Sequence, residues 1–451
     1  MGITRRDFLR TAGAVVATMA LPIPELLAAQ GRKPNVIVIL SDDHGYAQIG
    51  CQGCKEVATP NIDSIAKNGV RFTSGYVSCP VCSPTRAGLM TGRYQQRFGH
   101  EDNPGPPPVC SPSFGLPEGE KTMGDYMKAE GYVTGMIGKW HLGARPACHP
   151  QKRGFDEFFG FTTGAHDYND PLKGTDNPLF RGTEQVDEKE YLTDAFARES
   201  VSFIERHKKQ PFFLHLAFNA VHAPLQAPDR FKDDFAEFKN PDRRKYAAML
   251  KAMDEAVGKV LAKVRDAGIE DDTLIFFLGD NGGYRVAGMT PNAPLNGFKG
   301  DTYEGRVRIP FMVQWKGHLP ASEVYEKPVV SLDILPTAVA VAGGNVGANV
   351  EGVNLLPYLT GKNSKSPHDE LFWRWIDKSG ARVGDWKLVQ NGDGAEKLFN
   401  LADDIGETKD LAASNPTKLK ELQDAYSAWN AKNIPPKWLD GRRAKDKASG
   451  E

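Results

Sequence analysis

The chain has no excess of charge, few cysteines, no internal repeat and no apolar run long enough to cross a bilayer. Each absence removes a class of function. The formal net charge is −1, from 56 Lys+Arg against 57 Asp+Glu. Without a global field to gather nucleic acid or an anionic membrane, any anionic ligand must be held by a local cluster. The run at residues 12–21 is too short for a membrane span, which takes about 20 residues. The six cysteines are Cys51, Cys54, Cys79, Cys82, Cys110 and Cys148. Cys51/Cys54 and Cys79/Cys82 have zinc-ribbon pair spacing, but the 24 residues between the pairs exceed the usual about 15–20. The cysteines other than Cys82 read as buried thiols or bridge partners.

What is present begins with Arg5-Arg6, followed by Phe8-Leu9 and the short apolar run. That order reads as a twin-arginine (Tat) export signal over residues 1–29, cleaved near Ala28 or Ala29. It predicts a bacterial protein handed to the Tat translocase and found in the periplasm or outside the cell. Leu26 or Leu27 stands three residues before the cleavage point, so retention as an uncleaved anchor stays open. The other reading is an amphipathic N-terminal helix of the fold. Removing 1–29 leaves a net charge near neutral, so the exclusion of nucleic acid stands.

Hydrophobic residues make up 40% of the 451, ample for a sizeable core. Residues 35–40 form an unbroken apolar run, the pattern of a strand buried on both faces. Similar runs recur at 132–137, 211–217, 273–278 and 310–314, with helical stretches at 61–69, 123–130, 195–208 and 243–267. The alternation predicts an α/β sheet with helices on both faces. Residues 99–119 are proline-rich and read as an irregular loop. Beyond about 355 the texture changes to short strands at 370–376, 381–390 and 397–401 and a helix at 417–430. The expected layout is a catalytic domain over 30–355, an antiparallel-sheet-plus-helix subdomain over 356–434, and a polar tail over 435–451.

Two acidic clusters follow two of the apolar runs: Asp42-Asp43, and Asp280-Asn281. Ligands in open α/β sheets bind outside the carboxyl ends of strands. Three carboxylates and an amide oxygen there make a hard-oxygen site suited to calcium or magnesium; taken singly, each cluster is an ordinary turn. Cys82-Ser83-Pro84-Thr85-Arg86 reads as a helix start, with Ser83 able to cap it and Pro84 suited to its first turn. Arg86, four residues on, shares the face of Cys82. Lys139, His141, His222 and Lys299 add basic groups near strand ends, a set fitted to a tetrahedral oxyanion.

Taken in order, these motifs resemble the type I, formylglycine-dependent sulfatases of the alkaline phosphatase superfamily, carbohydrate sulfatases of the N-acetylgalactosamine-6-sulfatase and arylsulfatase kind. The resemblance covers residues 35 to about 401. It implies an alkaline-phosphatase-like fold, with a large mixed sheet sandwiched by helices and a smaller C-terminal subdomain. It implies one Ca2+ held by Asp42, Asp43, Asp280, Asn281 and the side chain at 82, and oxidation of Cys82 to formylglycine (3-oxoalanine). The partner that performs this is a formylglycine-generating or anaerobic sulfatase-maturating enzyme. Arg86 steadies the formylglycine hydrate, Lys139 and Lys299 hold sulfate, His141 deprotonates the hydrate and His222 protonates the leaving alcohol. The stretch 304–308 departs from the family, with Arg306 where a second glycine is common. The substrate expected is a sulfated saccharide. Its contacts are sought among His100, Glu101 and Asn103, then His166, Asp167, Tyr168 and Arg181, then Trp373, Arg374 and Trp375. The competing readings are a phosphomonoester or phosphodiester hydrolase of the same superfamily, which normally carries a two-zinc ligand set, and a non-catalytic carbohydrate-binding homologue.

Overall fold

The apolar runs become the centre of a ten-stranded mixed sheet. The computed structural model describes residues 32–103, 113–170, 177–285, 292–298 and 300–438. Its strands, in chain order, are β1 (Asn35–Ser41), β2 (Val70–Phe72), β3 (Gly75–Tyr76), β4 (Val133–Lys139), β5 (Glu157–Phe161), β6 (Phe180–Arg181), β7 (Glu184–Gln185), β8 (Phe212–Ala217), β9 (Thr273–Gly279), β10 (Phe311–Gln314), β11 (Glu323–Tyr325) and β12 (Val329–Val330). The large sheet runs β11-β2-β10-β9-β1-β8-β4-β5-β6-β7. Strands β9, β1, β8, β4 and β5 are parallel neighbours, so their carboxyl ends share one edge. β10 is antiparallel to β9 and β2. The short strands β3 and β12 pair separately.

Alternation along β1 divides its side chains between two faces. Ile37 and Ile39 join Ile275, Phe277, Leu214 and Leu216 in one core. That core also takes the inner residues of α1 (Pro60–Lys67), α4 (Leu192–His207) and α5 (Pro241–Asp266). Val36, Val38 and Leu40 point the other way and are equally buried. Helices α2 (Cys82–Thr91), α3 (Met123–Ala129) and α6 (Ile334–Val341) pack on one another, and α3 packs on β4. A strand covered on both faces is what an unbroken apolar run predicts.

The C-terminal part is a four-stranded antiparallel sheet: β13 (Glu370–Trp375), β14 (Lys378–Val383), β15 (Trp386–Gln390) and β16 (Lys397–Asn400). Helix α7 (Pro416–Asn430) packs on β14 and β15. The single strand expected over 381–390 is a hairpin instead. Gly384, with φ 58°, takes the left-handed turn that apolar pattern alone does not reveal.

An ion pair between half-buried His368 and buried Asp333 fastens this region. His368 Nε2 lies 2.8 and 3.0 Å from the two oxygens of Asp333, which also accept the amides of Val330 and Val353. Burial alone would lower the His368 pKa, but the Asp333 carboxylate outweighs it and the net shift is upward. A raised folded-state pKa gives stability that is fully present below the unfolded pKa and is lost as pH rises through the folded one. The melting temperature of His368→Leu should therefore fall furthest below wild type near pH 6, with the gap narrowing by pH 9. A pH-independent gap would assign the loss to packing alone.

Candidate active site

Four strand ends deliver the site. The register pairs Leu40 with Leu278 and Ser41 with Gly279. One step further, Asp42 and Asp280 are neighbours, and the Asp43 amide donates to Asp280 Oδ1 at 3.0 Å. Beyond β8, Val221 N donates to Asp42 O and Asp42 N to Ala220 O, both 2.9 Å, which sets His222 beside the same edge. β4 ends at Lys139, and His141 follows with a left-handed φ of 56°.

Helix α2 faces this edge with its N-terminus. Its N-cap is Val81, which makes no side-chain cap. Ser83 does not cap: its hydroxyl donates to His141 O at 2.6 Å and so accepts from His100 Nε2 at 2.7 Å. Asn103 Oδ1 accepts the Ser83 amide at 2.8 Å. The helix is thus capped by a residue twenty positions away, a tertiary contact that no local signal announces.

Asp42, Asp43, Asp280 and Cys82 each present a ligand atom, all within 4.8 Å of one another. Cys82 Sγ, which stands where a matured residue would carry oxygen, lies 3.5 Å from Asp42 Oδ1. Lys139 Nζ lies 2.5 Å from Asp42 Oδ2. Arg86 donates through Nε and a terminal nitrogen to Asp280 Oδ2 at 3.1 and 2.8 Å, and to Lys139 O at 2.8 Å. Its distance to Asp42 Oδ2 is 3.7 Å. Burial and the neighbouring Asp42 push the Asp280 pKa up, against the opposing pull of Arg86 and Lys139. Burial, Lys139 and Arg86 hold His141 well below the ordinary histidine range, so its imidazole is neutral. His222 Nε2 faces Asp43 Oδ2 at 3.6 Å while Nδ1 sits 2.6 Å from Ala223 O.

The donor set fits a hard divalent cation. The three carboxylates converge, and Asn281 Oδ1 is buried without a hydrogen-bond partner while Nδ2 donates to Asp43 Oδ1 at 2.5 Å. Among the described residues, both groups of acidic, cysteine and histidine side chains able to hold a metal contain Asp42 and Cys82. The two groups share one centre, and no second one of the kind a two-zinc hydrolase needs is found among the described residues.

The remaining sequence candidates fall in different places. Lys299 lies outside the described residues. His100 is fully buried, pushed down to about pKa 3 by burial, and bonded to Ser83. Asn103 is occupied at the α2 N-terminus. Tyr168 is fully buried, its hydroxyl on Asn219 O at 2.5 Å and His222 O at 2.9 Å, so it braces the His222 loop. Asp167 accepts from Gln226 at 2.7 Å, and His166 Nδ1 lies 2.9 Å from Asp167 O. Arg181 pairs with Glu199 through two bonds of 2.7 Å beside a cavity of about 380 Å³. It lies four strands from β1 in the sheet, roughly 19 Å at normal strand spacing. Glu101 is buried and paired with Arg374, and Trp373 Nε1 donates to Val77 O. Trp375 packs beside Cys79 and Val81, just ahead of Cys82.

An α/β sheet whose strand ends gather three carboxylates, buried cations and two histidines defines a hydrolase of oxyanion esters. The sulfatase family profile matches residues 34–344 and the C-terminal profile of N-sulphoglucosamine sulphohydrolase matches 299–428, so the chain belongs to the sulfatase family and is a sulfuric ester hydrolase. It is 31% identical to arylsulfatase J of Mus musculus, over 92% of this chain and 79% of that one. It is 32% identical to N-acetylgalactosamine-6-sulfatase of Homo sapiens, over 76% and 72%. The crystal structure of Ps i-CgsB in complex with k-i-k-neocarrahexaose superposes with a TM-score of 0.85 at 37% identity, covering 91% of this chain and 95% of that one. A twin-arginine signal profile matches residues 2–22, which marks the chain for Tat export to the periplasm or the exterior. Among the described residues no helix is long and apolar enough to cross a membrane.

Proposed function

We propose that this sulfatase cleaves sulfate monoesters of a sulfated carbohydrate, with Cys82 matured to formylglycine and one Ca2+ held by Asp42, Asp43, Asp280, Asn281 and residue 82. The convergence of Cys82 Sγ with three carboxylates within 4.8 Å carries this reading. Maturation by a formylglycine-generating or anaerobic sulfatase-maturating enzyme precedes export, because the Tat translocase takes folded chains. When bound, calcium supplies a Lewis acid that offsets the charge of the sulfate. Once hydrated by one water, the aldehyde at residue 82 would supply two hydroxyls on one carbon, one to attack sulfur and one whose deprotonation would expel sulfate and restore the aldehyde.

The chain's own side chains do the rest. Lys139 and Arg86 place positive charge beside the reacting group, where burial strengthens its effect. Lys299 is assigned to the sulfate on its sequence motif. Neutral His141 accepts the proton whose loss releases sulfate. His222 holds Nδ1 on Ala223 O, which leaves Nε2 as the nitrogen that delivers a proton to the leaving alcohol. Tyr168 braces the His222 loop through the carbonyls of Asn219 and His222, so His166 and Asp167 beside it are the sugar contacts this reading favours, while His100 and Asn103 hold Ser83 next to residue 82. A carbohydrate substrate is favoured by the hexaose complex of Ps i-CgsB and by the N-acetylgalactosamine-6-sulfatases.

Chelation tests the metal. Dialysis against a calcium chelator should lower turnover of a sulfate ester by about 10²-fold or more, the equivalent of at least about 2.7 kcal/mol. Added Ca2+ should restore it. Full activity in a sample shown by elemental analysis to hold no divalent metal would rule this site out.

A further inference from the structure

Arg306 stands where a glycine is common in the family, and it is a fully buried arginine. Its position follows from a close backbone approach. Gly282 N donates to Arg306 O at 2.9 Å, and a Cβ on Gly282 would lie 1.9 Å from Gly305 O. The turn at 305–306 therefore lies directly under the chain that follows Asp280-Asn281. From there the Arg306 guanidinium bonds to Gly282 O and, through Nε, to Pro80 O. Both terminal nitrogens lie 3.5 Å from Asp43 Oδ1. One side chain thus touches the strand end carrying Asp280, the loop that leads into Cys82, and a carboxylate of the metal set.

Among the described residues, Asp42, Asp43 and Asp280 face Lys139, Arg86 and Arg306, and His222 Nε2 also lies 3.6 Å from Asp43 Oδ2. With glycine at 306, three crowded, buried carboxylates would lose one of these cations, and their mutual repulsion would cost more stability whenever the metal is absent. A guanidinium beside Asp43 also repels a divalent ion bound to that carboxylate. We propose that Arg306 is a built-in counter-ion that shares Asp43 with calcium. It keeps the metal-free site folded and makes calcium binding weaker than the carboxylates alone would give. The inference rests on the calcium reading above.

The test compares the full-length matured protein with Arg306→Met and Arg306→Lys, by calcium titration calorimetry and by melting with calcium or with chelator. Arg306→Met should bind Ca2+ tighter by on the order of 10-fold, since a unit charge is removed from beside a divalent ion. Its melting temperature should depend on calcium more steeply than that of wild type. Arg306→Lys, which keeps the charge, should stay close to wild type in affinity. Equal or weaker calcium binding by Arg306→Met would overturn the counter-ion role and make Arg306 an orienting or packing residue. If Arg306→Met fails to fold even with calcium, the wild type decides. It should melt cooperatively in chelator with only a small loss of melting temperature, and unfolding on chelation would overturn the proposal. A wild type that binds no calcium overturns the metal reading itself, whereas unchanged affinity in Arg306→Met overturns only the role of Arg306.

Discussion

Cys82→Ala should remove nearly all turnover, on the order of 10⁴–10⁶-fold, as loss of a covalent nucleophile does. The fold should survive, because the substitution removes a single atom, 3.5 Å from Asp42 Oδ1, at the start of a ten-residue helix. The physical reason for the large effect is charge. A sulfate monoester is already anionic, and the site lowers the barrier only if a nucleophile is generated inside the cationic frame of Lys139 and Arg86. Steady-state rates on an activated aryl sulfate, with circular dichroism to confirm folding, check this outcome. Residual activity above about one per cent would show that another group attacks sulfur.

The second expectation separates the two histidines. Activated aryl alcohols leave without help, whereas sugar alcohols need a proton. His222→Ala should lower turnover of a sugar sulfate by ~10²–10⁴-fold more than turnover of an aryl sulfate, the usual contribution of a general acid. His141→Ala should impair both substrates about equally, because the release of sulfate from residue 82 is the same step whichever alcohol has left. Equal losses on both substrates for His222→Ala would place the proton elsewhere, with Lys299 the next candidate.

Much of this site was legible in the sequence because it sits where apolar runs stop. Asp42-Asp43 and Asp280-Asn281 each follow a run buried on both faces, and strands of one parallel sheet end at one edge. Cys82 and Arg86 were legible as a pair because helical spacing puts them on one face. What was hidden depends on partners distant in the chain. Ser83 looked like a helix cap, but tertiary contacts with His141 and His100 took its hydroxyl and Asn103 took the capping role. Tyr168 looked like a sugar platform, yet its hydroxyl finds two backbone carbonyls inside the core. Arg306 was visible as a departure from the family pattern, but its reach to Asp43 became apparent only from the fold of the 305–306 turn under Gly282. The hairpin at Gly384 was missed because one left-handed residue reverses the chain without interrupting the apolar pattern.

The central claim is that residue 82 works as an aldehyde. Mass spectrometry of the peptide containing residue 82, run on protein made with and without a co-expressed maturating enzyme, tests it most directly when paired with the specific activity of each batch. The account predicts that turnover rises in proportion to the fraction of chains carrying formylglycine and vanishes in fully unmodified protein. Full activity in protein whose Cys82 is intact thiol would contradict it.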